Sequence, residues 1–136
     1  MGSPTPFVVD CDAVESFSPP HHSETSSKEL LNPERGSEDV VFRVSTLGPG
    51  GHDHWHAHAD SEQLFFVLSG RATLSLDELG TGDIDDAVEH ELSPESFVYL
   101  PRETHHELHV TGDEPFRTLV IWAPPYESFD EWDPEA

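Results

Sequence analysis

The sequence predicts an all-β domain, a sandwich or small barrel. Short apolar runs of strand length recur at 40–47, 63–68, 72–77, 97–100 and 116–123. The segments between them are rich in turn residues: Gly48-Pro49-Gly50-Gly51, Ser69-Gly70, Gly80-Thr81-Gly82-Asp83 and Thr111-Gly112-Asp113. The 136 residues, 35% hydrophobic with 12 Pro and 9 Gly, suffice for one compact domain with a single core.

In chain order, residues 1–38 read as an arm. Ser18-Pro19-Pro20 and Asn32-Pro33 interrupt any long periodicity, so at most one short strand or helical turn is expected, packed against the rest. Residues 39–126 hold the strand-like runs and form the barrel. Residues 127–136 are an acidic tail whose Phe129 and Trp132 predict that it folds back. No run approaches the ~18 apolar residues of a membrane span, and the first thirty residues lack a basic start and an apolar signal core. A soluble, cytoplasmic protein is therefore expected. The single Cys11 offers neither an internal disulfide nor a thiolate metal knuckle.

Acids dominate the charge: 28 Asp and Glu stand against 6 Lys and Arg, giving −22 with neutral His, and Lys28 is the sole lysine. Such a field disfavours nucleic acid and anionic membrane as partners. An acidic yet foldable chain fits a halophilic microbe, in which concentrated salt screens the repulsion. Asp83, Asp85 and Asp86 read as part of this acidity, because their loop lacks the alternation of a calcium-binding EF-hand.

Histidine is placed unevenly. His52, His54, His56 and His58 fall at every second position, and His105, His106 and His109 form a second cluster. Period two is the strand period, so His56 and His58 can aim two imidazoles at one point while His106, on a later strand, closes the site from across a barrel. His105 and His109 have the opposite parity to His106 and are expected to face solvent. His52 and His54 share parity with the ligand pair, which makes them candidates for moving protons at the barrel mouth.

These residues resemble the cupin family. Its first motif runs Gly, five residues, His-x-His, three or four residues, Glu, six residues, Gly. Here it reads Gly50, Gly51 to Trp55, His56-Ala57-His58, Ala59 through Gln63, then Leu64 to Ser69 before Gly70. The second motif, Gly, five residues, Pro, one residue, Gly, two residues, His, is similar to Glu95 to His106, with Pro101 and His106 in place. The resemblance covers about residues 40 to 124. It implies a cupin-type conical β-barrel, a double-stranded jelly roll of two antiparallel sheets. Glu95 and Glu103 stand where the family motif has glycine, so those turns must adopt another conformation or tolerate strain.

The fourth ligand has two candidates. Counting forward from His58 reaches Glu62, and counting back from Gly70 reaches Gln63. Neighbours on one strand cannot both point inward, and both faces are apolar. The count from Gly70 crosses one uninterrupted strand, whereas the count from His58 crosses a turn, which favours Gln63 and leaves Glu62 as the alternative. Gln63 is also the only glutamine in the chain. Cupins with three His and one Gln on the metal include isomerases of unsaturated uronates and polyketide cyclases. Four neutral ligands would leave the full double charge on a divalent ion, favouring Lewis-acid chemistry. The ion is expected to be Zn, Ni, Fe, Mn or Cu.

Other residues complete the expectation. Tyr99, two residues before Pro101, is a candidate acid or base facing the cavity, as is His54. Arg43, the single charge in an apolar strand, is a candidate for binding an anionic substrate group. Trp55 and Trp122 read as core or interface aromatics. The resemblance implies an enzyme acting on a small oxygenated metabolite, a sugar acid or enol-containing ring compound, by isomerisation or cyclisation. A quercetinase-type dioxygenase and a non-catalytic metal- or metabolite-binding module are the alternatives. A homodimer is expected through the outer face of strand 63–68.

Overall fold

The computed structural model describes residues 5–18 and 22–125, so the tail at 127–136, with Phe129 and Trp132, lies outside the described residues. Among the described residues nine strands follow in order: β1 (Ser16–Phe17), β2 (His22–Leu31), β3 (Val41–His56), β4 (Glu62–Ser69), β5 (Ala72–Leu76), β6 (Val88–Leu92), β7 (Phe97–Leu100), β8 (His106–Val110) and β9 (Phe116–Ala123). Three single 3-10 turns, Cys11–Ala13, Pro33–Arg35 and Ile84–Asp86, are the helical content among the described residues. None of these is long or apolar enough to cross a membrane.

The strands form one antiparallel sheet curled on itself, in the order β6-β5-β8-β3-β9-β4-β7, with β2 on β3 and β1 on β2. The sixteen-residue β3 makes the curl possible. Along one edge it pairs with β2. Along the other it takes β9 through residues 41–47 and β8 through residues 52–56. Two branches, β9-β4-β7 and β8-β5-β6, thus leave the same edge of one strand. Their inward side chains meet in one hydrophobic cluster, with Phe65, Val67, Phe116 and Val120 from the first branch and Ala72, Leu74, Leu108 and Val110 from the second. Alternation drives this packing: on β9, Phe116, Thr118, Val120 and Trp122 are buried while the residues between them are not. Phe116 and Val67 are wholly buried, and full burial of a side chain like Phe116 contributes about 3 kcal/mol. The all-β barrel expected from the sequence is the fold observed.

Several elements differ from expectation. The arm carries a ten-residue strand, β2, paired along much of β3. Its Ser, Thr and Glu content hides it from an apolar-run search. The strand β6, Val-Glu-His-Glu-Leu, is exposed at four of its five positions and is hidden for the same reason. Gly48-Pro49-Gly50-Gly51, expected as a connector, lies inside β3 at the point where its partner changes from β9 to β8.

The glycine-substituted motif positions keep the backbone that glycine would adopt. Glu95 has φ 75° and Glu103 has φ 65°. Each is anchored by its own N–H, Glu95 donating to Val67 O at 2.9 Å and Glu103 to His58 O at 2.7 Å. These turns therefore tolerate strain rather than adopt a new shape. Gly70 (φ 84°) has no such latitude, because a Cβ there would stand 2.4 Å from Pro115 O and 2.7 Å from Phe116 Cα.

Candidate metal centre

The end of β3 and the start of β8 build most of the site. His56, the last residue of β3, is the direct cross-strand partner of His106, the first residue of β8. Their rings lie 4.3 Å apart. His58 follows two residues beyond the strand, its backbone carbonyl held by the Glu103 N–H at 2.7 Å. His58 stands edge-on to His56 at 5.1 Å and to Trp122 at 6.0 Å. Ligand atoms of His56, His58 and His106 lie within 4.8 Å of one another. His106 thus stands beside His56 rather than across the barrel, and Gln63 and Trp122 line the cavity from the other branch.

Parity on β4 separates the two candidates for the fourth position. Gln63, Phe65 and Val67 are buried, whereas Glu62, Leu64 and Phe66 are not. Gln63 lines the same cavity as the three imidazoles, and its Oε1 is buried with no hydrogen-bond partner among the described residues. A buried carbonyl oxygen without a donor is costly unless an electron-poor partner meets it, so this atom fits a cation. Glu62 turns away and accepts the Tyr99 hydroxyl.

Backbone carbonyls fix the ring tautomers. His56 Nδ1 donates to His54 O, and His106 Nδ1 donates to Thr104 O at 3.0 Å. In a neutral imidazole this leaves Nε2 as the lone-pair atom, the form a metal requires. Asp53 Oδ1 stands 3.4 Å from His56 Nδ1, a second acceptor behind the same ring. Burial holds the His56 pKa well below its usual 6.5; Asp53 and the His54 carbonyl oppose this, while His106 and His58 reinforce it.

Together with Arg43, Ser45, Asp53, Thr118 and Trp122, these side chains line a cavity of about 610 Å³, counted with its open mouth. Arg43 is 3% exposed, and its Nε donates to Glu29 Oε2 at 2.7 Å. Its guanidinium carbon lies 4.6 Å above the Trp122 ring and 4.9 Å above Phe17. Burial of this cation, expected only as a charge in an apolar strand, is offset in part by the Glu29 carboxylate and by the Trp122 and Phe17 faces.

Two expected catalytic residues lie elsewhere. Tyr99 is 47% exposed on the outer face of β7, opposite in parity to the buried Val98 and Leu100. His54 is exposed on β3, outside the cavity. An irregularity between Asp53 and His56 breaks the alternation of β3. Asp53 and His56, three apart, both face inward, and His52 and His54 are left on the other face. The same irregularity conceals Asp53 from a parity argument, although Asp53 lines the cavity. His105 and His109 avoid the interior, as expected. His105 stacks on Trp55 at 5.6 Å, and Trp55 Nε1 donates to Gly82 O at 3.2 Å.

The sequence profile of the family described as Cupin domain matches residues 43–122. Auxin-binding protein 1 of Arabidopsis thaliana is 30% identical over 100 residues, 71% of this chain and 50% of that protein, so the chain spans about half the length of this relative. Among solved structures, the polyketide cyclase RemF of Streptomyces resistomycificus superposes with a TM-score of 0.73 at 22% identity, over 88% of this chain and 80% of that one. A sugar phosphate isomerase of Silicibacter pomeroyi superposes with a TM-score of 0.68 at 20% identity, over 85% and 74% of the two chains.

Proposed function

This chain belongs to the cupin family, and from that premise we propose that it is a metal-dependent enzyme of the isomerase or cyclase type acting on a small, anionic, oxygenated metabolite. The supporting observation is the meeting of three imidazoles, within 4.8 Å of one another, with the donor-less oxygen of Gln63 in one cavity. His56, His58, His106 and Gln63 would hold the ion. A divalent transition metal bound there supplies a Lewis acid for a carbonyl or hydroxyl oxygen.

The protein's own groups divide the remaining work. All four ligands are neutral, so none of the ion's charge is cancelled. Arg43 orients a carboxylate or enolate of the substrate, with Glu29 and the Trp122 face fixing the guanidinium. Asp53, the carboxylate lining the cavity, orients His56 and is the group placed to take up a proton. Tyr99 and His54 stand outside the cavity and have no part in this scheme. A small molecule suits the cavity, and a chain of net charge −22 is a poor match for nucleic acid. We assign homodimerisation to the exposed outer stripe of Phe66, Leu68 and Phe97 on β4 and β7; a monomer in sedimentation at high salt overturns that assignment.

The test is elemental analysis of protein purified in concentrated KCl without chelator or nickel resin, followed by assays with sugar acids and enol-containing ring compounds. One equivalent of tightly held metal is expected to be lost in His58→Ala and in His106→Ala and kept in Glu62→Ala. Equal loss in His58→Ala and Glu62→Ala overturns the ligand set. A fully loaded protein that turns over no compound of either class overturns the catalytic reading.

A further inference from the structure

We propose that the outer face of the β3–β8 pair carries a second divalent-cation site, formed by His52, His54 and Glu107 with His109 beside them. Ligand atoms of His52, His54 and Glu107 lie within 4.8 Å of one another. The ring centroids of His52 and His54 are 4.3 Å apart, and those of His52 and His109 are 5.3 Å apart. None of these four residues lines the cavity.

The same irregular backbone that builds the inner site builds this one. On a regular strand, His52, His54, His56 and His58 would share a face; the break between Asp53 and His56 divides them into an outer and an inner pair. Each pair then meets residues of matching parity on β8. The inner pair meets His106, and the outer pair meets His109, the register partner of His52, together with Glu107.

The outer cluster is preorganised at one end. Glu107 Oε1 accepts the Trp55 backbone N–H at 3.1 Å and stands 3.5 Å from His52 Nε2. That nitrogen is shielded from solvent and makes no hydrogen bond among the described residues. The His54 ring, the exposed one of the three, is the adjustable member. Ligand atoms sharing one ion at about 2.1 Å stand about 3–4 Å apart, so a small rotation of this ring draws the group together.

Two imidazoles and a carboxylate select a borderline transition cation such as Zn²⁺, Co²⁺, Ni²⁺ or Cu²⁺ over Mg²⁺ or Ca²⁺. The carboxylate cancels part of the ion's charge, and the site opens to solvent rather than to the cavity. Its role is therefore a clamp tying β3 to β8 directly behind His56 and His106. A protein of net charge −22 concentrates cations at such a surface.

Cobalt titration followed by visible d–d absorption tests the proposal, with His54→Ala and Glu107→Gln as outer variants and His58→Ala as the inner one. The wild-type chain is expected to bind two Co²⁺, each single variant one, and the His54→Ala/His58→Ala double variant none. His54 is exposed, and Glu107→Gln keeps its shape, so both variants should fold. Wild-type stoichiometry in both outer variants overturns the outer site, as does complete loss of binding in His58→Ala alone. If His58→Ala binds as the wild type does while His54→Ala loses one ion, the outer site stands and the cavity ligand set falls.

Discussion

Replacing Glu95 and Glu103 together by glycine should stabilise the protein. Both residues hold a left-handed backbone at φ 75° and 65°, which costs a non-glycine residue about 1–2 kcal/mol. Glycine removes that strain but returns about 0.5–1 kcal/mol through the greater freedom of its unfolded chain. The net gain is about 0.5–1 kcal/mol per site. The two turns flank opposite ends of β7, so their effects should add to about 1–2 kcal/mol. Neither substitution touches the anchoring N–H bonds to Val67 O and His58 O.

The substitutions also remove two negative charges, so Glu95→Gln/Glu103→Gln is the necessary control, discharging both sites while keeping the strain. Urea unfolding in concentrated KCl, followed by circular dichroism, should give the glutamine pair a stability within about 0.5 kcal/mol of wild type. The glycine pair should exceed it by about 1–2 kcal/mol with an unchanged m-value. Glycine and glutamine pairs of equal stability would refute the strain argument and leave charge as the explanation.

Three further outcomes follow from particular contacts. Gly70→Ala meets both a positive φ and a carbonyl 2.4 Å from the new Cβ, so it should destabilise by about 3 kcal/mol or more, and a melting temperature within a degree of wild type would contradict it. The Tyr99 pKa is raised from 10.0, first by its hydrogen bond to Glu62; because the carboxylate favours the neutral phenol, Glu62→Gln should lower it, read as tyrosinate absorbance in a Tyr126→Phe background, and an unmoved titration speaks against the pair. Dialysis to low salt should unfold the chain through unscreened carboxylate repulsion, and unchanged circular dichroism would count against a salt-adapted protein.

Legibility followed the regularity of each strand. The inward face of Gln63 follows from the alternation of β4 from Gln63 to Val67, although the count from Gly70 crosses an irregularity between Val67 and Ser69 rather than an uninterrupted strand. His54 lies on the outer face, against its parity with His56, because β3 breaks its alternation between Asp53 and His56; nothing in His-Asp-His-Trp-His marks that break or singles out Asp53. Tyr99 was ambiguous for a different reason. Phe97, Val98, Tyr99 and Leu100 are all apolar or aromatic, so pattern alone cannot separate the buried Val98 and Leu100 from the exposed pair. The strands β2 and β6 were invisible to hydrophobicity because they draw on pairing partners more than on apolar burial. Arg43 stands out as a charge in an apolar strand, but its partner Glu29 lies in the arm, where no pattern links the two.

The strand β9 lies between β3 and β4 and is the last strand in the chain among those described. His56 and His58 are therefore translated early but cannot face Gln63 in their final relation until synthesis has passed Ala123. A nascent chain leaving the ribosome carries its imidazoles without the pocket that orders them. Closing so long a loop before any contact rewards it makes assembly slow and cooperative. If the cavity holds an ion as proposed, its affinity should arrive in one step with the completed barrel.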